Sequence, residues 1–221
     1  AGASDVDTGA VLSVANVSAL PAGVTLSGNA LTVDPTNPAF DSLAAGTPLV
    51  IVVSYNVIDG LGGITPQTAT ITITGTNDAP TVSAAVTAAA NEGDASFAVN
   101  LLAGASDVDT GAVLSVANVS ALPAGVTLSG NALTVDPTNA AFNSLAVGQT
   151  ATINVSYDVV DGLGGITPQT ATITITGTND APTVSAAVTA AADEGDASIA
   201  VDLLAGASDV DTGAVLSVAN V

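Results

Sequence analysis

Apolar and polar residues alternate along much of the chain. Residues 170–176 read TATITIT, which sets Ala171, Ile173 and Ile175 on one face of an extended segment and four threonines on the other. Residues 152–159, TINVSYDV, place Ile153, Val155, Tyr157 and Val159 on one face, and NALTV at 131–135 does the same with Leu133 and Val135. Further strands are expected from residue 81 onward (TVSAAVTAA) and at 95–101, 112–119 and 124–130. The alanines of AAVTAAA, 84–90, would suit a helix, but the stretch lacks a helical apolar stripe and abuts NDAPTV, so it is read as strand. About seven short strands between Gly, Pro, Asn and Asp turns predict an all-β, Ig-like antiparallel sandwich.

The pattern then repeats. AGASDVDTGAVLSVANV stands at 1–17, 103–119 and 205–221, a period of 102 residues. Residues 1–78 align without a gap on 103–180 and differ at ten positions, eight of them between 38 and 54. This period is too long for a solenoid unit and matches one small domain. The expected organisation is a truncated sandwich repeat at 1–78 lacking its first strands, a complete repeat at 79–180, and the N-terminal fragment of a third at 181–221. A chain that starts and stops in mid-phrase is expected to be internal to a longer array, which accords with the lack of a visible signal peptide.

Charge changes the picture. The net charge is −20, with no Lys, Arg or His, so no carboxylate can pair with a cationic side chain. Nucleic acid and anionic membrane surfaces are poor partners, because nothing here neutralises a phosphate. Disorder, the usual reading of such acidity, conflicts with a 48% hydrophobic content. Cysteine is absent, so no disulfide staples the domains. Direct membrane insertion is not expected: the densest apolar run, LVIVVSYNVI at 49–58, is short and interrupted by Ser, Tyr and Asn.

Oxygen-rich pieces recur at fixed offsets. GTNDAPTV, at 75–82 and 177–184, joins the last strand of one repeat to the first of the next, an expected linker of about three residues. Its Asn77 and Asp78 offer an amide oxygen, a carboxylate and carbonyls, and Pro80 stiffens the exit. Asp107 and Asp109 lie in SDVDTG, Glu92 and Asp94 in NEGD, and Asp161 in VDGLGG. Each has an ordinary reading: DVDTG as an Asx turn, NDAP as a turn, NEGD as solvated acids, Asp161-Gly162 as a hairpin turn. Asp136 and Asp202 read as structural, and Tyr55 and Tyr157 as packing. Taken together, three acidic clusters on loops, in a chain without counter-charge, favour a divalent cation. Calcium takes about 6–8 oxygen ligands, and metals that prefer thiolate or imidazole find no such ligand here.

The run LAVGQTATINVSYDVVDGLGGITPQTATITITGTNDAPTV, 145–184, resembles the VCBS-type, cadherin-like repeats of bacterial RTX adhesins, type I-secreted surface proteins. The resemblance covers the whole chain. It implies a linear rod of cadherin-like sandwiches at the bacterial cell surface, extracellular, stiffened by calcium at the domain junctions and holding a ligand-binding tip away from the cell. A more distant likeness is to animal cadherins, where a DxNDNxP linker, a downstream DxD and a later Asp share calcium with a Glu of the preceding domain. This likeness implies Asn77-Asp78 and Asn179-Asp180 as linker ligands, Asp107/Asp109 and Asp209/Asp211 as the DxD, and Asp161 as the later Asp. Glu92 would serve the junction at Asn179-Asp180. Glu194 and Asp196 are the third-repeat copies of Glu92 and Asp94, and Asp5, Asp7 and Asp59 belong to a junction without its upstream partner. The cadherin acidic-Arg-acidic motif has no counterpart, since there is no Arg.

Two rival classes are weaker. An enzyme would need a base, a nucleophile or a phosphate clamp, and His, Lys and Cys are all missing. A module that binds sugars or like domains would need aromatic platforms, and aromatics are 2% of residues. The expected partners are therefore neighbouring repeats of the same chain. Residues 181–204 also carry the piece that the front repeat lacks, so head-to-tail strand complementation between molecules is a further expectation.

Overall fold

The computed structural model describes residues 2–220. It is all β, with no helix among the described residues. The chain forms two compact units. One takes in Ala1–Thr81, Ala105–Ser115 and Val160–Thr167; the other takes in Val82–Gly104, Val116–Val159 and Pro168–Val221. The first unit thus absorbs the stretches that carry DVDTG and VDGLGG of the second repeat.

In the first unit a three-stranded sheet runs in the order Ser13–Ala15, Pro48–Ile58, Ile64–Thr74. The two long strands are antiparallel, in register from Pro48↔Thr74 to Ile58↔Ile64. The hairpin of Val24–Ser27 with Ala30–Val33 pairs Leu26 with Leu31. Val24, Phe40, Ile51 and Val53 form the buried core, and Val50 and Val52, the intervening positions, are exposed. That alternation follows from the period of two along a strand.

The second unit holds most of the fuller sandwich. One sheet runs in the order Ser115–Ala117, Thr150–Val160, Ile166–Thr176, Val86–Asn91, and the other in the order Val126–Ser129, Ala132–Val135, Phe97–Asn100. The faces expected to be inward are inward: Leu133, Val135, Val155, Val159, Ala171, Ile173 and Ile175 are fully buried. Tyr157 is a packing residue, and its buried hydroxyl donates to the Leu101 carbonyl at 2.9 Å.

Three details differ from the sequence expectation. Val86–Asn91 is indeed a strand, but it pairs parallel to Ile166–Thr176, from Ala171↔Val86 to Thr176↔Asn91. A repeat entered at one end and left at the other has first and last strands pointing the same way, so as neighbours they pair parallel. The connection at GTNDAPTV is longer than three residues, since residues 75–80 lie between the strands ending at Thr74 and starting at Thr81. Finally, residues 187–202 carry no strand, although their repeat copies at 86–91 and 97–100 do.

Candidate metal centre

The junction of the first and second repeats lies within the first unit. Asp107 and Asp109 sit in a turn closed locally: the Asp109 N–H donates to Asp107 Oδ1 at 2.9 Å. The same bond closes the copies, Asp7 N–H to Asp5 Oδ1 at 2.8 Å and Asp211 N–H to Asp209 Oδ1 at 2.9 Å. An Asx turn of this kind needs only neighbours in sequence, so DVDTG folds alike in all three copies.

What the linker adds is burial. Asp78 N–H donates to Asp109 Oδ2 at 2.9 Å, and Asn77 Nδ2 donates to Asp161 Oδ2 at 2.7 Å. Asp109 and Asp161 are each only 5% exposed. Asp161 Oδ1 also accepts from the Leu163 N–H at 2.7 Å and the Gly165 N–H at 3.0 Å. The Asn77 amide, and after it these backbone groups, hold the Asp161 carboxyl below the usual carboxylate range against the opposing effect of burial. Thr110 docks the turn onto the first repeat, its N–H and hydroxyl donating to the Ser42 carbonyl at 3.1 and 2.8 Å. Gly165 completes the closure: a Cβ there would collide with Asp161 Oδ2 and lie 2.8 Å from Ala79 Cα.

The second junction lies within the second unit and repeats the arrangement. Asp180 N–H donates to Asp211 Oδ2 at 3.0 Å, and the Thr212 hydroxyl donates to the Ser144 carbonyl at 2.7 Å. Asp211 is 8% exposed. Glu92 enters here, 7% exposed, with its Oε2 accepting from the Thr178 N–H at 3.3 Å. Asn179 turns its amide to the Asp180 carbonyl at 2.7 Å. Gly177 leads into this junction, and a Cβ there would strike the Leu145 carbonyl oxygen.

The remaining candidates lie outside such clusters. Asp94 and Asp196 accept from the N–H groups of Asn91 and Asp193, both at 2.8 Å, which closes local turns. Asp94, Asp196, Glu194, Asp5 and Asp7 are exposed. Asp59 accepts from Leu61 and Gly63 N–H at 2.7 and 2.8 Å. Those bonds, Leu61 first, lower its carboxyl, yet it is only half-buried.

The chemistry of the two junctions fits a hard cation. Asn77 Oδ1, Asp107 Oδ2 and Asp109 Oδ1 in one, and Asp180 Oδ2 and Asp211 Oδ1 in the other, are buried oxygens with no hydrogen-bond partner. Buried polar atoms are nearly always partnered, and a buried carboxylate without a counter-charge is costly. Among the described residues, no group of three or more acidic side chains already stands in metal-holding geometry. The orphaned oxygens are thus available donors, not a finished cage. Sequence reasoning missed Thr110, Thr212 and Gly165. The threonine follows DVD in all three copies, which was the available signal; its acceptor, a serine carbonyl far away in sequence, left none.

Residues 76–176 match the family model of the cadherin-like domain. The EC1-3 segment of mouse clustered PcdhgC3 aligns at TM-score 0.50 and 16% identity, over 91% of this chain and 67% of that one. Human CDH23 EC21-23 aligns at TM-score 0.51 and 14% identity, over 91% and 69%. At these identities the likeness establishes the fold: tandem, all-β, cadherin-type domains. No curated protein sequence matches the chain.

Proposed function

We propose that the chain is an extender segment of a large bacterial surface adhesin, whose repeats are stiffened by calcium bound at their junctions. The match of residues 76–176 to the cadherin-like domain supports an extracellular structural or adhesive module. The observation that carries the reading is the pair of junctions, each with buried, partnerless carboxylate oxygens, in a chain without one cationic side chain. Asn77, Asp107, Asp109 and Asp161, with Asp78, would hold the ion at the first junction. Asp180, Asp209, Asp211 and Glu92, with Asn179, would hold it at the second. The ion would supply the positive charge that the chain lacks and tie the linker to the loops on either side of it.

The 20 carboxylates otherwise repel one another, which suits a spacer that must not collapse or aggregate. Absence of Lys and Arg also removes every cleavage site for proteases that cut after basic residues. Extracellular calcium modules bind at about 10⁻⁴–10⁻³ M, so millimolar calcium should load the junctions. Small-angle scattering with calcium and with chelator tests the proposal: the maximum dimension should become better defined and longer with the ion. An unchanged profile, together with no heat on calcium titration, would overturn it.

A further inference from the structure

Among the described residues, every position with a positive φ is glycine except Asn16, Asn118 and Asn220, at 50°, 50° and 54°. These three are one position in the copies of AGASDVDTGAVLSVANV. Glycine takes this backbone without steric cost, and it serves at all the other such positions. At this one the repeat keeps a side chain. The position is a bulge on an edge strand. Ser13–Ala15 and its copy Ser115–Ala117 each stand at the end of their sheet. Pairing in the first runs from Ser13↔Ile58 to Ala15↔Asn56. Beyond it Ser18, and not Val17, meets Ser54: the Ser18 N–H donates to the Ser54 carbonyl at 2.9 Å, and the Ser18 hydroxyl accepts from the Ser54 N–H at 3.2 Å. Ser120 and Ser156 repeat these bonds at 2.8 and 3.2 Å in the complete repeat. One extra residue is thus inserted in the edge strand, which re-aims a side chain, and Asn16 and Asn118 are both exposed.

Asn16-Val17-Ser18 and Asn118-Val119-Ser120 have the Asn-x-Ser form of an acceptor for a sugar on the asparagine amide. Beside Asn118 lies an open groove of about 500 Å³ lined by Ser156, Asp158, Gln169 and Thr170, among others. Their hydroxyl, carboxylate and amide groups suit the hydroxyls of a sugar. Asn118 Nδ2 donates to Asp158 Oδ2 at 2.8 Å, which holds the amide against the wall of that groove. A third tripeptide of the same form, Asn154-Val155-Ser156, provides the contrast. It lies inside Thr150–Val160, a strand with a neighbour on either side, and the Asn154 Oδ1 accepts from the Thr172 hydroxyl at 3.1 Å.

We propose that Asn118, with Asn16 as its copy, is an attachment site for an N-linked sugar, and that Asn154 is not. The sugar comes from a glycosyl phosphate ester held by a separate transferase. Asn118 Nδ2 forms a bond to the anomeric carbon, the bond from that carbon to the phosphate oxygen breaks, and the phosphate carrier leaves with the electron pair. The nitrogen gives one proton to a base of the transferase, and its second N–H remains for Asp158. The bulge takes Asn118 and Val119 out of the ladder, where an enzyme can grip their backbone. The backbone of 154–156 is already held between two strands. Attached once per 102 residues, the sugar stands on the edge of the sheet and blocks another strand from pairing there. Calcium plays no part, which separates this proposal from the one above.

Mass spectrometry of the chain purified from the cells that make it, after cleavage before aspartate, tests this. The identical stretches 7–33 and 109–135, read together, should carry sugar on their shared asparagine, and the stretch 136–157 with Asn154 should be bare. Bare 7–33 and 109–135, or as much sugar on Asn154 as on Asn118, would overturn the proposal. A second measurement gives the folded, unmodified chain UDP-glucose and a soluble N-glycosyltransferase, and reads the intact mass. Wild type and Ser120→Thr should each gain two hexoses, while Ser120→Ala and Asn118→Gly should each gain one. Glycine keeps the positive φ without strain, so an unchanged melting temperature of Asn118→Gly separates a lost acceptor from a lost fold. No gain by the wild-type chain, or an undiminished gain by Ser120→Ala, would overturn the proposal equally.

Discussion

Asp109 and Asp7 occupy the same place in identical seventeen-residue phrases. Asp109 is buried against the linker, and Asp7 is exposed. Replacing each in turn by Asn isolates what burial does to one carboxylate. In chelator, Asp109→Asn loses the charge-assisted character of one bond, from the Asp78 N–H, a matter of about 1 kcal/mol. It also relieves a buried ion with no cationic partner, whose effective cost is several kcal/mol. The variant should therefore melt no lower than wild type without calcium. With calcium the sign reverses. A junction at 100 times its dissociation constant is stabilised by about 2.7 kcal/mol, and at roughly 2–4 °C per kcal/mol the wild-type shift is about 5–11 °C. A tenfold loss of affinity on removing the charge takes away about 1.4 kcal/mol, or roughly half of that shift. Asp7→Asn should leave both melting temperatures and the calcium shift unchanged. Differential scanning calorimetry of the three chains, with calcium and with chelator, reads all six values. Equal calcium shifts in wild type and Asp109→Asn, or equal effects of the two substitutions, would refute the reasoning.

Gly165→Ala should destabilise by about 1–3 kcal/mol, as overpacking does, because the new Cβ meets the backbone at Ala79 as well as Asp161. Its copy Gly63→Ala meets only the movable Asp59 side chain and should cost less in the same thermal melts. Tyr157→Phe leaves the buried Leu101 carbonyl without its donor and should lose about 1 kcal/mol in urea unfolding, while Tyr55→Phe, at a half-buried residue, loses less. Asp136 has its carboxyl lowered first by the Thr138 hydroxyl at 2.7 Å and then by the Thr138 N–H at 3.1 Å. A lowered folded value adds stability above the unfolded value near about 3.9, lost as pH falls through the folded one. Wild type should thus lose melting temperature below about pH 4 more steeply than Asp136→Asn, and equal slopes would count against the Thr138 contribution.

The sandwich was legible because period-two alternation is a local signal. TATITIT could only place Ala171, Ile173 and Ile175 on one face, and a half-buried sheet requires that face to be the inner one. The parallel pairing of Val86–Asn91 was not legible, since alternation fixes which face is buried and leaves the neighbour and its direction open. The candidate ligands were found as a set by counting oxygens in a chain without cations. Their separation into buried and exposed members could not be found that way. Asp94 closes a local turn and stays exposed, while Glu92, two residues earlier, is buried beside Thr178. Both are acids in the same NEGD phrase, and only the path of the distant linker tells them apart.

The three copies of DVDTG mark the division. The sequence alone determined the turn, because its closing bond spans two residues and forms identically at Asp5, Asp107 and Asp209. It also determined that no side chain could neutralise these acids. Tertiary structure decided that Asp109 and Asp211 are buried: they lie under the linker residues Asp78 and Asp180. Desolvation depends on what packs above a residue, and that is supplied by chain 31 positions away, beyond the reach of any local pattern.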